Sequence, residues 1–201
     1  MEISLPTRQK LLDIGWDVIR RKLSGELRIN VSIKPEPELL QAGGCFASMH
    51  RRADHALRGC VGMMDTGQPL AQSLIQAAES VLADPRFTTQ PITLAELPDL
   101  DLELTALGPL RRRPSPLDFE PLSDGIYLTI GGNAGCFLPQ VARETGWSRD
   151  QLLARLCTEK LSLPPEAWRN PSAIFQIFSA EVIGPSPMPR GAAFLAPAGP
   201  A

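Results

Sequence analysis

Apolar residues recur at a helical period between Pro6 and Ser24, where Leu11, Leu12, Ile14, Val18, Ile19 and Leu23 form a stripe with Arg8, Lys10, Asp13, Arg20 and Arg21 largely opposite. Gly25 ends that predicted helix. A second stripe, Leu70, Leu74, Ala77, Ala78, Val81 and Leu82, predicts a helix from Pro69 to Leu82. It stops at Ala83 or Asp84, because Pro85 drives the residue before it out of the helical region. Strict alternation then takes over: Leu100, Leu102, Leu104 and Ala106 against Asp101, Glu103 and Thr105 predict a strand with one face buried. Shorter apolar runs predict strands over Gly43–Met49, Ala56–Met64, Gly125–Ile130 and Ala173–Val182. Helices are expected over Gln140–Thr145 and Arg149–Cys157, the second capped by Ser148, with Trp147 as a core anchor. The remaining segments read as irregular: Lys34–Leu40 as an extended Pro-rich linker, Gly131–Gly135 as a flexible turn, and the Pro-, Ala- and Gly-rich stretch from Gly184 as a disordered tail.

The polar stretch His50–His55 joins the first two strands as an antiparallel pair. With the turn centred between Arg52 and Ala53, Cys45 lies opposite Cys60, and His50 opposite His55. These four are spaced by fives, yet Cys45 and His50 fall on opposite faces of their strand, so no zinc site forms from them. A redox or metal-binding Cys45–Cys60 pair is the narrower alternative.

In Leu57-Arg58-Gly59-Cys60-Val61-Gly62, side chains two apart share a face, so Arg58 and Cys60 point the same way. A cation beside a thiol stabilises the thiolate, which makes Cys60 the candidate nucleophile. The competing expectation is a buried structural cysteine. Gly59 and Gly62 leave space for another chain or a ligand to approach the backbone. Around Pro85, Asp84 and Arg86 either pair with each other and cap backbone, or Arg86 offers a planar donor fork to an anionic ligand group.

Composition narrows the function classes. Of 201 residues, 43% are apolar, enough for a substantial core, and the net charge of −2 supplies no bulk field for nucleic-acid binding. Arg111–Arg113 is the one local basic patch and reads as a loop. The absence of an ~18-residue apolar run and of a basic, apolar leader predicts a cytoplasmic protein that does not insert in membranes, with its four cysteines as thiols. Both histidines sit in one turn, so no Ser-His-Asp or Cys-His constellation is recognisable, and no CxxxCxxC motif holds an iron–sulfur cluster. No metal and no cofactor is expected.

LRGCVG, ADPRF, LPDLDLELTALGPL, GCFLPQVARETGW and LCTEKLSLPPEAW occur in the order and approximate spacing of the AMMECR-type domain, known in bacteria as AmmeMemoRadiSam system protein A. The chain resembles that family from about Leu11 to Val182. It departs where relatives commonly run C-x-K-A-G-L and this chain has Cys157-Thr-Glu-Lys160-Leu-Ser-Leu. The resemblance implies an α+β fold of antiparallel sheets and packed helices with two lobes around a cleft. It implies a single domain over 1–183, with both chain ends building the larger lobe and the middle the smaller. Ligand-binding residues implied at the cleft are Arg58, Gly59, Gly62, Asp84, Arg86 and Phe87 beside Cys60; Glu103 and Thr105 fall where relatives carry an acidic residue and a small hydroxyl. Partners implied are a Memo-type protein and a radical SAM enzyme, with a small-molecule, peptide or nucleotide-like ligand. Three function classes follow: an accessory or ligand-binding protein of that modification system, a transferase or hydrolase using Cys60, and a nucleic-acid-associated regulator.

Overall fold

The amphipathic stripe of the N-terminal helix determines how the larger part of the molecule is assembled. The computed structural model describes residues 3–26, 37–64 and 67–189, and two compact units emerge, Gly108–Ala180 and Glu2–Leu107 with Glu181–Ala201. Helix α1 (Leu5–Leu23) buries Leu11, Ile14, Trp16, Val18 and Ile19. A Cβ on its Gly15 would stand 2.8 Å from a Leu102 methyl, so the helix backbone lies directly on the sheet. That sheet contains β1 (Gly44–Arg51), β2 (Leu57–Met63) and β3 (Leu100–Leu107) in the order β2-β1-β3, antiparallel throughout. Cys45, Ala47, Met49, Leu102 and Leu104 face the helices, as the alternation in β3 requires. A short helical turn, α2 (Pro37–Leu40), replaces the extended linker expected there; residues 34–36 lie outside the described residues. Helix α3 (Leu70–Ser80) continues as a 3₁₀ turn, Val81–Ala83, and covers β2.

The β1–β2 hairpin forms, but its register differs from the expected one. Cys45 pairs with Met63, Ser48 with Cys60 and His50 with Leu57. A bulge between Met49 and His50 is one cause, and a wider turn is the other: Arg51 N–H donates to Ala56 O at 2.8 Å, and His55 adopts a left-handed φ of 57°. Cys45 and Cys60 consequently face opposite sides of the sheet, which removes the Cys45–Cys60 pair.

In the other unit, β5 (Asp124–Ile130) pairs with β6 (Asn133–Phe137) and with the first half of β7 (Ile174–Pro187). Gly131 and Gly132, at φ 55° and 87°, make a two-residue hairpin turn; Asn133–Gly135 are strand, correcting the longer turn expected. Arg111–Arg112 form a short strand, β4, against Ile177 and Gln176 rather than a loop. Helix α4 (Pro139–Thr145) and helix α5 (Arg149–Lys160) cover the apolar face, and Ser148 with Gln151 completes a capping box at the start of α5. Trp168, 5% exposed, is the tryptophan of this core, whereas Trp147 is half-buried at its margin.

Strand β7 runs five residues past the expected end at Val182, so Gly184–Pro187 are paired strand rather than tail; residues from Arg190 lie outside the described residues. Its second half follows β3 in the strand order. Glu181 there accepts from the Ile3 backbone N–H at 3.0 Å and pairs with Arg8, and Trp16 Nε1–H donates to Ser186 O at 3.3 Å.

Candidate functional site

Arg58, Cys60 and Gly62 share the sheet face opposite α1 and α3. Their register partners on β1 are Ser48 beside Cys60 and Phe46 beside Gly62, and β3 adds Glu103 beside Ser48 and Thr105 beside Phe46. Two rows therefore cross the sheet, Cys60–Ser48–Glu103 and Gly62–Phe46–Thr105. Cys60, Ser48 and Glu103 are half-buried, and Thr105 is 4% exposed. Ser48 Oγ donates to Cys60 Sγ at 3.1 Å.

Cys60 also marks how the open edge of β2 is closed. Its N–H donates to Asp84 Oδ2 at 2.8 Å, and its carbonyl accepts from Arg86 Nη2 at 3.2 Å. These backbone groups thus point away from β1, which makes Cys60 and Ser48 a non-hydrogen-bonded pair, the kind whose side chains approach most closely. Asp84 and Arg86 take the place of a neighbouring strand at this point. They are held for it by Arg86 Nε and Nη2, which donate to the two Asp84 oxygens at 3.0 and 2.7 Å, and by the Arg86 backbone N–H, which donates to Asp84 Oδ1 at 3.0 Å. The Arg86 fork, then the backbone N–H groups of Cys60 and Arg86, hold the buried Asp84 carboxyl well below the usual carboxylate range. Asp84 in turn holds Arg86 protonated.

Arg58 is engaged elsewhere. Its Nε and Nη2 donate to Glu96 Oε1 and Oε2 at 2.5 and 3.0 Å, and Nη2 also donates to Gln90 O at 3.0 Å. Glu96 raises Arg58, and Arg58 holds Glu96 below its ordinary value. The Phe87 ring lies between these pairs, with the Arg58 and Arg86 guanidinium carbons each 5.7 Å from its centre. The expected partnership of Arg58 with the Cys60 thiol is therefore absent: the group bonded to the sulfur is Ser48, and the guanidinium beside this residue's backbone is Arg86.

The space opened by the two glycines is also filled from within. A Cβ on Gly59 would lie 2.7 Å from Val81 O, and one on Gly62 2.6 Å from the Phe46 ring and nearer still to the Cys45 backbone. Both serve internal packing rather than the approach of a ligand. Glu103 and Thr105 differ from the rest: among the described residues neither side chain has a hydrogen-bond or ion-pair partner. Of the other thiols, burial pushes Cys45 up to about 12 and raises Cys136 and Cys157. A groove of about 600 Å³ lined by Gln9, Asp13, Arg52, Pro98 and Ser186 contains none of the expected site residues.

Ser48 and Glu96 escaped the sequence reading. Ser48 alternates with Phe46 and His50 on β1, but only the correct register sets it beside Cys60. Glu96 lies 38 residues from Arg58, in a segment without a motif to single it out.

The family profile described as AMMECR1 matches residues 12–183. The chain is 34% identical over 173 residues to "Protein MJ0810" of Methanocaldococcus jannaschii, covering 82% of this chain and 83% of that protein. It is 33% identical over 185 residues to "Protein PH0010" of Pyrococcus horikoshii, covering 86% and 88%. A crystal structure of that uncharacterized PH0010 protein superposes with a TM-score of 0.78 at 30% identity, covering 90% of this chain and 93% of the other. The same α+β architecture of antiparallel sheet and helices is present in both.

Proposed function

The chain belongs to the AMMECR1 family, and from that membership we propose that it is an accessory, ligand- or substrate-binding protein of an AmmeMemoRadiSam-type modification system. It works with a Memo-type protein and a radical SAM enzyme that carry the chemistry. The observation that carries this reading is the contrast on one sheet face: Arg58, Asp84 and Arg86 are consumed by internal pairs, while Glu103 and Thr105, half-buried and buried, have no partner among the described residues. A carboxylate and a hydroxyl without partners among the described residues have their hydrogen-bonding capacity open to a ligand.

Titration calorimetry of this protein against a purified Memo-type protein and a purified radical SAM enzyme tests the reading. Binding at micromolar or tighter affinity to one of them, weakened at least tenfold by Glu103→Lys, supports it; no binding to either overturns it.

A second reading, Cys60 as the nucleophile of a transferase or hydrolase, draws on one observation. Cys60 is half-buried, whereas Cys45 and Cys157 are buried, and its sulfur accepts from Ser48 Oγ at 3.1 Å. A stoichiometric burst of p-nitrophenol from p-nitrophenyl acetate that disappears in Cys60→Ser supports it, and an unchanged trace in that variant removes it.

A further inference from the structure

Resting on the ligand-binding reading, we infer that the face of β1, β2 and β3 takes a ligand bearing a protonated amine, seated on Glu103, Thr105 and Ser48 beside the Cys60 thiol. The charge balance of the face is the first argument. Arg58 is neutralised by Glu96, Arg86 by Asp84, and Asp101 by Arg52 at 3.4 Å. Glu103 is the carboxylate left over, half-buried on the central row. A carboxylate without a counter-charge favours a cation and repels an anion.

Hydrogen-bond capacity points the same way. Ser48 has a single proton, and it is donated to Cys60 Sγ, so only its lone pairs remain for a ligand. Glu103 is an acceptor only, and Thr105 supplies a further hydroxyl oxygen. An ammonium group offers three donors and no acceptor, the complement of this set. A phosphate or carboxylate would bring acceptors to acceptors. Glu103 and Thr105 are two apart on one strand and Ser48 stands opposite Glu103 on the next, so the three side chains are neighbours on one face. His50, opposite Asp101 on the same face, also has no side-chain partner among the described residues and lies one pleat repeat from Ser48.

The Cys60 thiol reports the sign of charge that this volume accepts. The probes are two methanethiosulfonates of similar size, 2-aminoethyl and 2-sulfonatoethyl. In each, the Cys60 thiolate attacks the sulfenyl sulfur. A protein–reagent S–S bond forms, the reagent's own S–S bond breaks, methanesulfinate leaves with the electron pair, and the thiol proton goes to buffer. Rates are measured in a Cys136→Ser background and normalised to free cysteine, with the modified residue identified by peptide mapping, since Cys45 and Cys157 are buried.

The expected result is a normalised preference of about tenfold for the aminoethyl reagent at low ionic strength. Glu103→Gln reduces it to near unity with an unchanged melting temperature, and Glu103→Lys reverses it. A ratio near one in the parent protein overturns the inference. So does a preference for the sulfonate, which would mean that Arg86 sets the local field, and so does a cationic preference that survives Glu103→Gln. If neither partner protein binds while the charge preference holds and depends on Glu103, the accessory reading fails and the amine subsite stands.

Discussion

The outer edge of β2 and the face of β3 carry similar side chains in opposite states. At the edge, Asp84, Arg86, Arg58 and Glu96 form two ion pairs with every short contact satisfied, and Phe87 lies between the two cations. On the face, Glu103 and Thr105 stand in the middle of a hydrogen-bonded sheet, and neither side chain has a partner among the described residues. The most conspicuous residues of the sequence thus hold a strand edge together, and the groups without a partner among the described residues come from an ordinary alternating strand. In this molecule a distinctive motif marks where the backbone needs support, and the polar groups without an internal partner lie beside it.

Breaking the edge should have the largest effect. Asp84→Ala strands the Cys60 N–H and the Arg86 guanidinium, and should cost about 3–5 kcal/mol in urea unfolding; a loss under about 1 kcal/mol would erase the distinction between edge and face. The same carboxylate gives a pH signature. Its folded-state value is depressed, so its contribution is fully present above the unfolded value of about 3.9 and is lost as pH falls through the lower folded value. The parent protein should therefore lose stability below about pH 4, and Asp84→Asn should lack that component of the acid limb.

Next in size is the Arg58–Glu96 pair, partly shielded from solvent. Each alanine substitution should cost about 1–3 kcal/mol, and a double-mutant cycle should return a coupling of at least about 0.5 kcal/mol. Additivity would mean that the pair is incidental. The smallest effects belong to the face: Glu103→Gln and Thr105→Val should each change stability by less than about 0.5 kcal/mol, because both keep the size of the side chain and no hydrogen bond or ion pair is lost. A larger loss in either would show that the side chain has a structural role after all.

Much of the scaffold was legible, and the reason differs by element. Leu100–Leu107 was read to the residue because its period of two is unbroken, and α1 and α3 because their stripes are long and bounded by Pro and Gly. The β1–β2 register was not, since it depends on a bulge and on left-handed His55, neither of which alternation encodes. Gly131-Gly132 did contain a readable hairpin signal, obscured by the small residues that follow it. Of the site, the shared face of Arg58 and Cys60 follows from parity alone. The Asp84 bond to the Cys60 backbone spans 24 residues and is set by how α3 and its 3₁₀ extension return to β2, which no local pattern reports.

The course of β7 has a consequence for synthesis. The chain leaves the larger unit at Leu107, builds the other from Gly108 to Ala180, and only then returns with Glu181, which binds Ile3 and Arg8, and Ser186, which receives the Trp16 indole. During translation, the first helix emerges long before the segment that completes its surroundings. The nascent larger unit therefore waits with an unfinished sheet edge beside β3 while a whole second unit is produced. The smaller unit is made of one continuous stretch, whereas a chain stalled before Glu181 holds a larger unit that still lacks the strand beside β3.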